Sequence, residues 1–298
     1  MTQALIIFGA SACFTSSTAP NTEPYQSQGD WIIDAKAAAI RAAQGTQILD
    51  TRSAADFEKA HIEKSLRADW RRFSEPDDPN RGRLLGDQAL LQSRLRDAGV
   101  NNGPILVVGD TITGWGEDGR IAWMLRALGH KDVKLVDGGY AALAKALPTA
   151  KGPGEKAPAG DFTIAADSRW SISRDDVRDI VDRKAPVQLV DTREEREFLG
   201  ATPYGESRGG HVPGAVHLHY SGLLNSHGYL MPRAFLLAEL EKLGLDPKKP
   251  TVAYCTGGVR SGWFVAILAD LGFSDVKNYA GSMWEWSASP EDRYPLTK

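Results

Sequence analysis

The densest chemistry in the chain lies in one short stretch, Cys255-Thr256-Gly257-Gly258-Val259-Arg260-Ser261. An apolar run over residues 250–254 leads into it, and a second apolar run leads away from Ser261. The thiol is therefore expected at a strand end, facing the start of a helix. A helix start presents unpaired N–H donors and the positive end of the helix dipole. Consecutive glycines let the backbone curl until successive N–H groups converge on one point, an anion nest. Arg260 adds fixed positive charge. All three effects favour thiolate over thiol. The chemistry to expect is nucleophilic attack by Cys255, with residues 256–261 holding an anionic group on or near the sulfur. An inert cysteine closing a core strand is the plainer alternative. It explains the strand but neither the glycines nor the arginine.

The elements that must position this loop are legible around it. The second half reads as strand 187–190, helix 194–199, helix 233–243, strand 250–254, helix 261–271 and strand 275–279, with Ser173 and Asp176 as a capping box opening an earlier helix. Strands separated by helices imply right-handed crossovers and a mainly parallel sheet. The first half repeats the pattern. Ile48-Leu49-Asp50-Thr51-Arg52 answers Leu189-Val190-Asp191-Thr192-Arg193, His61 answers His211, and Leu128-Gly129 and Gly138 answer Leu271-Gly272 and Gly281. One α/β fold has been duplicated. Residues 148–160, with three prolines and three glycines, read as a linker. The expected organisation is a leading segment and tether over 1–28, a first domain over 29–147, a linker over 148–162 and a second domain over 163–298.

Duplication separates what the fold needs from what only one half has. Asp50 and Asp191, each at a strand end before Thr-Arg, are expected to cap turns or form buried ion pairs, and His61 and His211 to support structure. The cysteine loop has no counterpart after the first-half strand 104–109, where the chain reads Gly109-Asp110. Gly114-x-Gly116-x-x-Gly119 spells a dinucleotide fingerprint, with Asp137 beyond it, but it does not follow its strand directly, since Thr111, Ile112 and Thr113 intervene. His211, His217, His219 and His227 are clustered in sequence without an interleaved Asp or Cys, so no metal site is expected.

Composition excludes several classes. The chain has 298 residues, 42% hydrophobic and 24% charged, which is globular composition. A net charge of −3 gives no reason to expect a nucleic acid partner. Two cysteines, Cys13 and Cys255, make no disulfide framework. Residues 4–14 form an apolar run too short to span a bilayer, with small residues ahead of Cys13 and a Ser/Thr/Pro-rich tether behind it. That pattern is similar to a lipoprotein export signal. It gives the expectation of a periplasmic or lipid-anchored protein, with a cytoplasmic one as the alternative and Cys13 as the only membrane attachment.

Cys255 and Arg260 are separated by four residues, one fewer than in the Cys-x5-Arg loop of cysteine phosphatases. The Cys-x4-Arg loop, with Asp191-Thr192-Arg193-Glu194, Gly210-His211-Val212-Pro213-Gly214-Ala215 and Tyr279–Trp284, resembles the rhodanese family of sulfurtransferases. A first half with an aspartate near the cysteine position resembles its tandem members. The resemblance implies two rhodanese-like domains, each a mainly parallel sheet flanked by helices, with catalysis in the second. It implies a Cys255 thiolate that takes sulfur from a small anionic donor, thiosulfate or 3-mercaptopyruvate, with thiosulfate the expected one. The resulting persulfide is held by Thr256, Gly257, Gly258, Val259, Arg260 and Ser261 and passed to a thiol or cyanide, without a cofactor. Where tandem members carry a second arginine, near Phe198, this chain has Glu197, so Arg208 or Arg196 is expected to meet the donor. The competing readings are a cysteine-dependent phosphatase and a dinucleotide-binding oxidoreductase using residues 114–119.

Overall fold

The computed structural model describes residues 23–156, 158–183 and 185–298. The run 4–14, with Cys13, lies outside the described residues.

The strands are β1 (Ile32–Ile33), β2 (Gln47–Asp50), β3 (His61–Ile62), β4 (Leu66–Arg67), β5 (Ile105–Val108), β6 (Val133–Val136), β7 (Thr149–Ala150), β8 (Gln188–Asp191), β9 (Val216–His217), β10 (Thr251–Tyr254) and β11 (Val276–Asn278). The helices are α1 (Ala35–Ala43), α2 (Ala54–Lys59), α3 (Gln88–Asp97), α4 (Glu117–Ala127) and α5 (Gly139–Leu143) in the first half. The second half adds α6 (Arg174–Arg183), α7 (Glu195–Phe198), α8 (Arg233–Lys242), α9 (Val259–Asp270) and α10 (Ser282–Ala288). Short apolar strands bounded by turns and joined through helices can pair only in parallel, and they do. The first sheet runs β1-β6-β5-β2-β4 and the second β11-β10-β8-β9, parallel throughout. The duplication extends to details: β3 pairs antiparallel with β7 through His61 and Ala150, and His211 bridges Thr297 in the same sense.

Helix starts are where the observed elements depart from the expected ones. Helix α9 begins at Val259 rather than Ser261, because Gly258 takes a left-handed conformation (φ +75°) and turns the chain into the helix in one residue. Arg260 thereby sits in the first helical turn. Helix α4 begins at Glu117, so Gly119 is a helical residue, and both Gly116 and Gly119 of the 114–119 fingerprint are packed against Trp263 of the second half. A Cβ on Gly119 would lie 2.2 Å from the Trp263 Cα, so this glycine lets α4 and α9 touch backbone to side chain.

That contact joins the halves. Both helices are buried nearly all round, each lying between its own sheet and the other helix. The apolar core is continuous across them, taking in Leu49, Val107 and Trp123 from one half and Val190, Ala253 and Phe264 from the other. The end of α9 adds a polar tie. The buried Asp270 carboxylate accepts from the Tyr25 hydroxyl at 2.7 Å and from the Trp31 and Ile32 N–H groups at 3.0 and 3.1 Å.

The same interface buries acids. Asp118, in the first turn of α4, is 4% exposed and accepts a hydrogen bond from the Gly119 N–H. Burial pushes its carboxyl up to about 7 from an ordinary 3.8. Between those values the folded chain holds a proton that the unfolded chain has released, so this group makes stability fall as pH rises through the window. Asp118→Asn should flatten that dependence. Its stability relative to wild type, measured by thermal or denaturant unfolding, is expected to be greater at pH 8 than at pH 5.

Candidate active site

Cys255 directly follows β10, the central strand of the second sheet, and is 1% exposed. Four residues, 255–258, carry the chain from β10 into α9. Within that turn the Gly258 N–H donates to the Cys255 Sγ at 3.1 Å. The turn has little freedom. A Cβ on Gly257 would lie 2.0 Å from the Trp284 ring, and one on Gly258 would meet the Ala280 carbonyl oxygen at 2.6 Å. Its outer side is clamped by hydrogen bonds. The Cys255 N–H donates to the Ser282 Oγ, and the Met283 and Trp284 N–H groups donate to the carbonyls of Cys255 and Thr256. Asn278 Nδ2 donates to the Gly258 carbonyl, and the Ser261 hydroxyl donates to Asn278 Oδ1.

Burial alone would push the thiol up. The Arg260 guanidinium and the N–H groups of Ser261 and Gly257 outweigh it and hold Cys255 below the ordinary thiol range. The site can therefore stabilise a sulfur anion in a place closed to water.

Arg260 is not a free cation. Its Nη1 and Nη2 donate to the two carboxylate oxygens of Glu197 at 2.6 and 2.9 Å, and Nη2 also donates to the Thr256 hydroxyl at 2.5 Å. The Thr256 hydroxyl in turn donates to Glu197 Oε1 at 2.7 Å. All of this is buried, Glu197 completely. Although burial opposes ionisation, Arg260 holds the Glu197 carboxyl below its ordinary value. A second buried acid, Glu206, lies 3.4 Å from the Thr256 hydroxyl. Val259 opens the helix between the nest and Arg260.

Aromatic side chains cover the loop. The Arg260 guanidinium lies 5.1 Å from the Trp115 ring centre and 5.7 Å from that of Tyr204, and those rings meet edge to face. The Trp284 indole N–H and an Arg81 Nη both donate to the Tyr204 carbonyl at 2.9 Å, and the Arg81 guanidinium stacks on Trp284. Trp115 and Arg81 belong to the first half, so both domains close over the sulfur.

Several expected residues stand elsewhere. Arg208 is not at the loop: its guanidinium donates to the carbonyls of Trp286, Ser287, Ser289 and Tyr294. It serves the last turn of α10, whose free carbonyls need donors. Arg196 is bound to Glu194 and to the Tyr204 hydroxyl, and so touches the cover rather than the nest. Asp191 forms a fully buried ion pair with Arg193, and Asp50 forms the matching, partly exposed pair with Arg52. His211 bonds the Phe198 carbonyl and stacks on its ring at 3.7 Å, while His61 stacks on Phe57 at 4.0 Å. His217 bonds the Arg193 carbonyl and His219 the Ser221 hydroxyl. Asp110 caps its own turn, accepting from the Ile112 and Thr113 N–H groups.

Missing from the sequence expectations are Glu197 as the partner of Arg260, Glu206, and three first-half residues, Trp115, Arg81 and Arg120. Arg120 directly follows Gly119, whose contact with Trp263 sets α4 against α9; no pattern in the sequence marks it.

Comparison with known proteins follows this geometry. The Rhodanese-like domain family matches twice, over residues 34–146 and 173–289. A thiosulfate sulfurtransferase of Corynebacterium glutamicum is 30% identical over 244 residues, covering 77% of this chain and 78% of that protein. The human 3-mercaptopyruvate sulfurtransferase is 30% identical over 278 residues, covering 88% and 92%. Among solved structures, the Escherichia coli protein SseA superposes with a TM-score of 0.72 at 24% identity, covering 86% of this chain and 99% of its own. The Saccharomyces cerevisiae Tum1 protein gives 0.77 at 20% identity, covering 89% and 97%. These two structures share the fold.

The close approach of Gly257 to Trp284 generates a stability test. Gly257→Ala should overpack the loop and cost about 1–3 kcal/mol. In a Trp284→Ala background, itself destabilised by the lost ring, the same Gly257→Ala change should cost less than half as much. Thermal unfolding of the wild type, both single variants and the pair checks it.

Proposed function

Because the chain belongs to the rhodanese family and is a sulfurtransferase, built from two rhodanese-like domains, we propose that it moves a sulfane sulfur through a persulfide on Cys255, with thiosulfate as donor. The Cys255 thiolate attacks the outer sulfur of thiosulfate. The new bond joins the two sulfurs, the donor S–S bond breaks, and sulfite leaves with its electron pair. The terminal sulfur remains on Cys255 as an anion. An acceptor, cyanide in an assay or a thiol in a cell, attacks that sulfur and regenerates the thiolate.

The observation that carries this reading is the Cys255 nest. A sulfur anion there meets the Gly258 N–H at 3.1 Å, with the N–H groups of Gly257 and Ser261 also directed to it. Preorganised N–H donors in a dry site stabilise such a charge without reorganisation. The four residues between Cys255 and Arg260 are one fewer than in a Cys-x5-Arg phosphate loop, and Arg260 is already occupied by Glu197, which counts against phosphoryl transfer. 3-Mercaptopyruvate is the second donor, on the strength of the human relative's name. We also read residues 4–14 and Cys13 as an export and lipidation segment, to be tested by fractionation of cells expressing Cys13→Ser.

Mass spectrometry after thiosulfate treatment tests the main reading. Wild type should gain one sulfur atom on Cys255, cyanide should remove it with formation of thiocyanate, and Cys255→Ser should gain none. An unmodified Cys255 with both donors would overturn it.

A further inference from the structure

One positive charge packed against the Cys255 loop has no acid beside it among the described residues, and it comes from the domain that carries no cysteine loop. Arg120 lies one residue after the Gly119–Trp263 contact and is completely buried. Its Nη1 donates to the Gly258 carbonyl at 3.3 Å, and its Nη2 donates to the Gly82 carbonyl at 2.7 Å and the Ser74 hydroxyl at 3.1 Å. All three acceptors are neutral. Its Nε has no partner, and no ion pair involving Arg120 occurs among the described residues. The rings of Trp123 and Trp70, 4.8 and 5.7 Å from the guanidinium carbon, complete its surroundings.

Such a charge is costly to bury unless something nearby is negative. Burial pushes the Arg120 guanidinium down to about 10, and Cys255 is the charged group that opposes this. Arg260 is the cation that acts most strongly on the sulfur, and it is paired with Glu197 in the same buried cluster; Arg120 has no such acid beside it. The contact with Gly258 gives the charge a geometric role as well. The Gly258 peptide presents its N–H to Sγ and its carbonyl to Arg120, so the grip on the oxygen fixes the direction of the N–H. Gly82, held by the same guanidinium, backs onto the loop, since a Cβ there would lie 2.9 Å from the Gly257 Cα.

We propose that Arg120 is a positioning residue for sulfur transfer: it orients the Gly258 peptide and adds, across the domain interface, a second positive charge beside that of Arg260 to favour the Cys255 thiolate and its persulfide. The first domain thus completes the site of the second. The proposal rests on Cys255 being the nucleophile, as read above.

The test uses the full chain and two readouts. The first is the pH dependence of Cys255 alkylation by iodoacetamide, which needs no sulfur donor. The second is the single-turnover rate of sulfite release from thiosulfate. Arg120→Gln should move the alkylation inflection up by at least half a pH unit and slow sulfite release at pH 7 at least tenfold. Arg120→Lys keeps the charge and loses the planar fork. It should leave the inflection within about 0.3 of wild type while slowing sulfite release at least threefold, the separation that distinguishes charge from grip. An unchanged inflection in Arg120→Gln would overturn the proposal. If that variant fails to fold, Arg120→Lys decides alone: the predicted split supports the proposal, and wild-type behaviour in both readouts overturns it. A wild type that alkylates normally but takes no sulfur would defeat the donor reading instead.

Discussion

The packing of helix α4 against helix α9 is the constraint on which the rest of the molecule depends. Both helices are buried on almost every side, and they come together because Gly119 offers no side chain where Trp263 arrives. This contact fixes how the two sheets stand relative to one another. It sets Arg120 against the carbonyl of Gly258 and brings Trp115 over the guanidinium of Arg260. It also makes one apolar core out of what the topology divides into two sheets. Interiors of this density do not deform by small degrees, so a loop built on such a contact is held within narrow limits.

Around the sulfur, charge is arranged in layers. Backbone N–H groups come first, with Gly258 nearest at 3.1 Å. Beyond them stands the Arg260–Glu197–Thr256 cluster, internally neutral and closed by hydrogen bonds. Buried ion pairs of this kind contribute little net stability against apolar packing, but they fix geometry because every member must be satisfied. The cluster holds the first turn of α9, and that turn supplies the Ser261 N–H to Cys255. Dipoles held in place by a rigid frame favour an anion without any motion at the moment of reaction.

Much of this was legible in the sequence, and the exceptions have physical reasons. The duplication, the parallel sheets and the loop from Cys255 to Ser261 follow from local pattern: period, turn residues, and a thiol between a strand and a helix. The paired roles of Asp50 with Asp191 and of His61 with His211 follow from their recurrence in both halves. Arg208 did not, because a bare arginine in an insertion carries no sign of whether it meets a substrate or the carbonyls at the end of α10. Glu197 looked like a lost cation and is instead the partner of Arg260; that depends on a contact between residues 63 positions apart. Arg120 and Trp115 are reached only through the domain interface, which no periodicity reports. The fingerprint at 114–119 shows the converse. Its spacing imitates a phosphate loop, while its last glycine answers to a tryptophan in the other half.

Asp270 gives the duplication a history. It closes the last turn of α9 in the second domain, yet its carboxylate binds Tyr25, Trp31 and Ile32, at the opening of the first. In a single copy that carboxylate would face water, so its burial and its donors both come from the other copy. Once the two copies were joined, residues such as Asp270, Trp263 and Gly119 could be accepted because the other copy answered them. Separating the halves would return the Asp270 carboxylate to water, which costs little, but would also open the apolar faces of α4 and α9, which costs much, so the apolar contact and not the charge is what keeps the two copies together.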